Sequence, residues 1–182
     1  MRRVAGLLRA INVGGRQLRM ADLKRITVSA GFDAPETLLA SGNVIFGTSL
    51  PDPETVERLA AAILAQAGIQ TDVFVRDAAQ IHEVIVANPF PREALEAPSR
   101  LMVMVLSADP PDDLGALAAA CGGGEQVGAG PGCLYIHYPA GAGTSKLTNA
   151  LIERRLNLRG TARNWNTVGK IAAQLAGPGA GG

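Results

Sequence analysis

Aromatic residues are scarce in this chain, only 4% of the total. A sheet that reads single-stranded nucleic acid stacks bases on exposed rings, and this chain has few to offer. Charge of either sign is also nearly balanced, 17 Lys and Arg against 16 Asp and Glu, for a net charge of +1. That balance argues against nucleic-acid affinity driven by bulk charge, although a local basic patch is compatible with it. Cysteine is rarer still. Cys121 and Cys133 are the only two, no adjacent histidine accompanies either, and a catalytic thiol is not indicated. No apolar run approaches the ~20 residues of a membrane span. The opening Met1-Arg2-Arg3 is basic, but Arg9 interrupts the apolar run that follows too soon for a secretory signal. These absences together give the expectation of a cytoplasmic protein with reduced thiols and no membrane association.

What the chain has in quantity is apolar residues, 47% of 182. That suffices for one large domain or two small ones. Val4 to Val13 is almost uninterrupted apolar sequence, the mark of a central strand buried on both faces. Met20 to Ala30 follows with a helical stripe and is closed by Gly31. Glu36–Ala40 and Val44–Thr48 read as strands joined through Ser41-Gly42-Asn43. Asp52-Pro53-Glu54 opens a helix ended by Gly68, with Asp52 as the expected N-cap, and Thr71–Arg76 is a fourth strand. A trailing helix spans Ala78 to Ala87. After the proline-rich stretch up to Pro98 the order recurs. The second set is a strand at Leu101–Leu106, a helix from Pro110 to about Cys121, strands at Glu125–Ala129 and Leu134–Tyr138, a helix at Ser145–Leu158, a strand at Thr161–Asn166 and a last helix at Val168–Leu175.

The fold expectation is therefore α+β, two tandem ferredoxin-like βαββαβ subdomains, each followed by an extra helix. Residues 1–90 form the first, 91–99 a linker, 100–176 the second, and 177–182 a flexible tail. Because the leading strand of each half is apolar on both faces, the sheet face away from its own helices should also be covered. The other half, a trailing helix or a second subunit would serve, and a homo-oligomer is one possible partner.

Two polar clusters stand out from the Ala- and Leu-rich background. In the first, the loop after the leading strand should approach the hairpin, gathering Arg9, Asn12, Gly14, Gly15, Arg16, Ser41 and Asn43. Glycines there would let backbone N–H groups point at an anion, with arginines supplying charge. Equally, the glycines make a tight turn that Asn43 satisfies. In the second cluster, Gly143, Ser145 and Lys146 would open a helix while Arg163, Asn164, Trp165 and Asn166 end a strand nearby. Alternation on an extended strand puts Asn164 and Asn166 on one face, with Arg163 and Trp165 on the other. This suits a phosphate or carboxylate, or else a Ser/Thr cap beside a solvated lysine. No P-loop spacing, metal-ligand spacing or catalytic constellation is present, and no cofactor is implied.

Leu7-Leu8-Arg9-Ala10-Ile11-Asn12-Val13-Gly14-Gly15 resembles the L-L-R-G-I-N-V-G-G opening of the bacterial "domain of unknown function 1697" proteins. Met20-Ala21-Asp22-Leu23, Ser41-Gly42-Asn43-Val44-Ile45-Phe46, Asn88-Pro89-Phe90, Ser145-Lys146-Leu147-Thr148-Asn149 and Arg163-Asn164-Trp165-Asn166-Thr167 resemble its other signatures, in the same order. Ala10 stands where the family usually has glycine. The resemblance implies an α+β protein of two similar subdomains and carries no catalytic residue or activity. Three readings of function follow. The first is binding of a small anionic ligand, a nucleotide or phosphorylated metabolite, at the Gly/Asn/Arg-rich strand ends. The second is a structural or interaction module whose polar motifs are turn and domain locks. Nucleic-acid binding is the third and the least favoured. Phosphoryl or acyl chemistry on positioned Arg, Lys and backbone donors leaves the question of an enzyme open.

Overall fold

A computed structural model describes residues 1–11, 15 and 17–177. Two four-stranded antiparallel sheets carry the architecture. In the first half the order is β1 (Arg2–Leu8), α1 (Met20–Ser29), β2 (Asp33–Leu38), β3 (Asn43–Thr48), α2 (Asp52–Ala67), β4 (Val73–Asp77) and the trailing α3 (Ala78–Val86). A short α4 (Pro91–Glu96) follows, inside the stretch read as a linker. The second half runs β5 (Leu101–Leu106), α5 (Gly115–Ala118), β6 (Gln126–Gly130), β7 (Cys133–His137), α6 (Asn149–Leu156), β8 (Gly160–Asn164) and α7 (Trp165–Ala176). Strand order is β2-β3-β1-β4 in one sheet and β6-β7-β5-β8 in the other, the split βαβ pattern in both.

Local chemistry sets the element ends. Pro53 lies in the first turn of α2, where its missing N–H costs nothing, and Gly68 closes the helix at φ 66°. Pro51 is its N-cap instead of Asp52, which begins the helix and places its charge in the first turn with Glu54. Pro91 likewise begins α4: a proline that stops one helix is well suited to start the next. β1 ends earlier than its apolar run suggests, because Ala10 turns the chain into the left-handed region at φ 50°. The helix expected from Pro110 to Cys121 contracts to the four residues of α5.

The central strands of each sheet are buried on both faces. In the first, Val4, Leu8, Val44, Phe46, Val73 and Val75 pack with Leu23, Ile26, Leu59 and Ile63 of α1 and α2. The alternate residues Ala5, Leu7 and Ile45, which face the other way, are no more than 1% exposed. In the second, Met104, Leu106, Leu134 and Ile136 pack with Leu117 and Ile152 of α5 and α6. Opposite them, Val103, Cys133 and Tyr135 are equally buried.

The trailing helices explain the far faces, and they do so by exchange. α3 follows the first sheet in sequence, yet its Val84 carbonyl receives the Tyr135 hydroxyl of β7 at 2.6 Å. α7 follows the second sheet, yet its Gln174 amide donates to Glu36 of β2 at 2.9 Å. The chain accordingly divides into two compact units: Met1–Ala79 together with the stretch from Lys170 onward, and Gln80–Gly169. Each far face is thus tied to the trailing helix that follows the other half in sequence.

Candidate functional site

Of the first polar cluster, the exit of β1 and the hairpin meet at one end of the first sheet. Leu7 pairs with Asn43, and the Leu8 N–H donates to the Gly42 carbonyl at 2.9 Å, stitching the exit of β1 to the hairpin. Gly42 has φ 76°, and a Cβ there would fall 2.4 Å from the Ile11 Cδ1. Only glycine lets the loop after β1 rest on the hairpin so closely. Asn43 is fully buried and donates through Nδ2 to the Leu38 carbonyl and the Ser41 hydroxyl, both at 2.9 Å. It is thus a strut inside the hairpin, while Ser41 beside it is exposed. Arg9 lies 3.8 Å from the Asp72 carboxylate with its side chain 35% exposed. Its backbone is fixed twice: its N–H donates to Asp72 O at 2.9 Å, and the Thr71 hydroxyl donates to its carbonyl at 2.7 Å. Gly15 is exposed at φ 82°, with open space where a side chain would stand. Asn12, Gly14 and Arg16 lie outside the described residues.

The second cluster does not assemble. Ser145 follows a short 3-10 turn at Ala142–Thr144, and the helix begins four residues later, with Thr148 as its N-cap accepting from the Leu151 N–H at 3.2 Å. Gly143, Ser145 and Lys146 therefore precede the helix instead of opening it. The Ser145 hydroxyl donates to Glu125, and the Leu147 N–H donates to Ser145 Oγ at 3.0 Å. Hydrogen bonds from Ser145 first, then from the Gly123 backbone, hold the Glu125 carboxyl below its usual range. A carboxylate thus already takes the Ser145 hydroxyl.

Leu147, the neighbour of the exposed Lys146, and Arg163 lie on opposite faces of the sheet. Leu147 packs with Met104 and Ile136 on the face covered by α5 and α6. Arg163 is paired with Val103, which alternation turns to the opposite face. There it is 6% exposed and donates to the Thr161 hydroxyl at 2.7 Å and the Ala162 carbonyl at 2.8 Å. Burial pushes its guanidinium down to about 10.

Asn164 and Asn166 also part company. β8 stops at Asn164, so the extended alternation expected through Asn166 breaks where α7 begins with Trp165. Asn164 caps that helix, its Oδ1 accepting from both the N–H and the hydroxyl of Thr167 at 2.9 Å. Trp165 is half-buried and Asn166 exposed.

Neither cysteine is poised for chemistry. Both are free thiols; Cys133 is fully buried, and burial followed by the nearby Glu125 raises the Cys121 thiol. Among the described residues no group of three His, Cys, Asp or Glu is placed to hold a metal. No helix among them is long and apolar enough to cross a membrane.

One polar constellation carries no sequence motif. At the far end of β1 from Arg9, Arg3 donates from Nη2 to Glu36 Oε1 at 2.9 Å, and Gln174 donates to the other carboxylate oxygen at 2.9 Å. A cleft of about 520 Å³ opens beside this trio, lined also by Leu38, Lys170, Ala173 and Gly177. Its parts come from three distant segments, so spacing could not reveal it. The available signal was the pair of arginines, Arg2 and Arg3, that opens an otherwise apolar strand.

Residues 1–135 match the family model described as "Protein of unknown function (DUF1697)". No curated protein matches the chain. Among solved structures, a conserved bacterial protein from Streptococcus pneumoniae is similar, with a TM-score of 0.72 and 20% identity over 95% of this chain and 98% of its own. At that identity the likeness concerns the fold.

Proposed function

The chain belongs to the DUF1697 family, and we propose that it is a cytoplasmic protein that binds a small anionic ligand, a nucleotide or phosphorylated metabolite, at the strand end holding Arg9, Gly15 and Ser41. One observation carries the reading: the bond from Leu8 N–H to Gly42 O fixes the β1 exit against the hairpin. A buried Asn43 strut beneath leaves Ser41 and Arg9 at the surface on the same end. Asn12, Gly14 and Arg16 belong to the same loop by sequence and would supply further donors and charge. The second cluster drops out of this reading, since Ser145 serves Glu125, Arg163 is buried and Asn164 caps α7.

Titration calorimetry and thermal-shift screening with nucleotides, sugar phosphates and sulfate test this. Binding that Arg9→Gln and Ser41→Ala each weaken by about tenfold, with unchanged melting, supports it. No response to any of these anions sinks it. The rival reading, a structural module of turn locks, is favoured at Asn43 and Asn164, whose amides are spent on backbone and capping bonds. It expects large stability losses from those two positions and no ligand.

A further inference from the structure

The cleft beside Arg3 and Gln174 has two features that coincide. Its lining carries two cations, Arg3 and Lys170, and one carboxylate, Glu36. The carboxylate is engaged at both oxygens, so it neutralises Arg3 and leaves Lys170 without an ion-pair partner among the described residues. Separately, two buried polar atoms on lining residues have no hydrogen-bond partner there: Arg3 Nε, a donor, and Gln174 Oε1, an acceptor. Buried polar atoms are nearly always paired, and here an orphan donor and an orphan acceptor flank one carboxylate. Both belong to residues that line the cleft. Leu38 and Ala173 supply apolar wall, and about 520 Å³ is within the range of small-molecule sites.

We propose that this cleft, a site separate from the Arg9 strand end, binds a small organic monoanion that also bears a hydroxyl donor. Its charged group meets Lys170 and Arg3 Nε, and its hydroxyl donates to Gln174 Oε1. The Glu36 carboxylate is the strut that keeps Arg3 and Gln174 in register, held below its usual range first by the Arg3 hydrogen bond and next by that of Gln174. Charge and hydrogen bonding thus select different parts of one molecule. Neutral sugars lack the first and simple fatty acids lack the second.

The test uses the full chain and three probes of similar length: gluconate, which has both features, hexanoate, which has only the charge, and glucose, which has only hydroxyls. At matched ionic strength, calorimetry should give saturable binding of gluconate at least about tenfold tighter than either of the others. Lys170→Gln should weaken gluconate about tenfold, and Gln174→Met should remove its preference over hexanoate. Asn166→Ala, exposed and in the other compact unit, should change nothing here. Circular dichroism on each variant separates lost binding from lost folding. Equal affinity for gluconate and hexanoate overturns the proposal. So does the absence of saturable binding by every probe up to about 10 mM, which would leave the two orphan atoms to solvent.

Discussion

The Tyr135 hydroxyl donates to the Val84 carbonyl across 2.6 Å, linking β7 to the last turn of α3. The final carbonyls of a helix have no intrahelical partner. Here the Ala87 N–H takes Glu83 and the Asn88 N–H takes Ile85, which passes over Val84. A side chain from the opposite half of the sequence fills that gap. The same tyrosine ring lies within 2.4 Å of where a Cβ at Gly130 would stand, so the glycine in β6 is the space that admits it.

Tyr135→Phe is therefore expected to destabilise the fold by about 1–3 kcal/mol, because it strands a buried carbonyl while leaving the packing intact. Urea unfolding with unchanged slope measures it. The protein's two tyrosines also predict an alkaline signature. Burial, then Glu125, pushes the Tyr138 hydroxyl up to about 12, and burial raises Tyr135 as well. A group raised in the folded state stabilises fully below its unfolded value, near ~10, and that contribution fades as pH rises through the folded value. Tyrosinate absorbance should stay flat past about pH 10 and then appear together with unfolding. A smooth titration centred at ordinary tyrosine pH in the folded protein would contradict this.

Ala10→Gly is expected to stabilise the protein by roughly 0.5–1 kcal/mol. A left-handed alanine costs about 1–2 kcal/mol, and the greater freedom of unfolded glycine returns part of that. The residue is exposed at φ 50°, so no packing is lost. The resemblance had marked this position as one where glycine is usual, and the backbone supplies the reason. The gain is read as a raised urea midpoint; a lowered one would mean the methyl makes a contact that the φ argument ignores.

Asn164→Ala should cost about 1 kcal/mol through loss of the α7 cap, whereas Asp in its place keeps the acceptor and adds a favourable charge at the helix start. Asn166→Ala, one residue into the helix and exposed, should stay within about 0.5 kcal/mol. Comparable losses at both positions would revive the shared polar face that a strand through Asn166 would create. Chemical denaturation of the three variants decides.

The contrast between those asparagines shows what could be read from sequence. Element order was legible, because apolar runs such as Leu101–Leu106 and the stripe of α2 have strong periods. The approach of β1 to Ser41-Gly42-Asn43 was legible too, since the split βαβ topology dictates it. The second cluster failed for local reasons. Ser145 and Thr148 are both plausible caps, and the choice falls on Thr148 because Ser145 is committed to Glu125, 20 residues earlier. Asn164 could continue a strand or cap a helix, and only the Thr167 bonds choose. The exchange of trailing helices left no local trace at all. Val84 and Gln174 gain their partners at sequence separations of 51 and 138, where no pattern reaches.

Glu36 offers the clearest test of the link between α7 and the first sheet. Its carboxylate accepts from Arg3 and from Gln174, and those bonds, the first larger than the second, lower its pKa. A depressed carboxylate stabilises above its unfolded value, near ~4.3, and the contribution is lost as pH falls through the folded value. The side chain is 51% exposed, so solvent screens the effect and its size should be small and salt-sensitive. Glu36→Gln keeps the shape and removes only the charge. The urea midpoint of the parent should exceed that of the variant near neutral pH, and the gap should close as pH drops below about 4. It should also narrow with added salt at neutral pH. A gap that persists unchanged in acid would mean the position matters through packing, and the carboxylate would not be what ties Gln174 to the sheet.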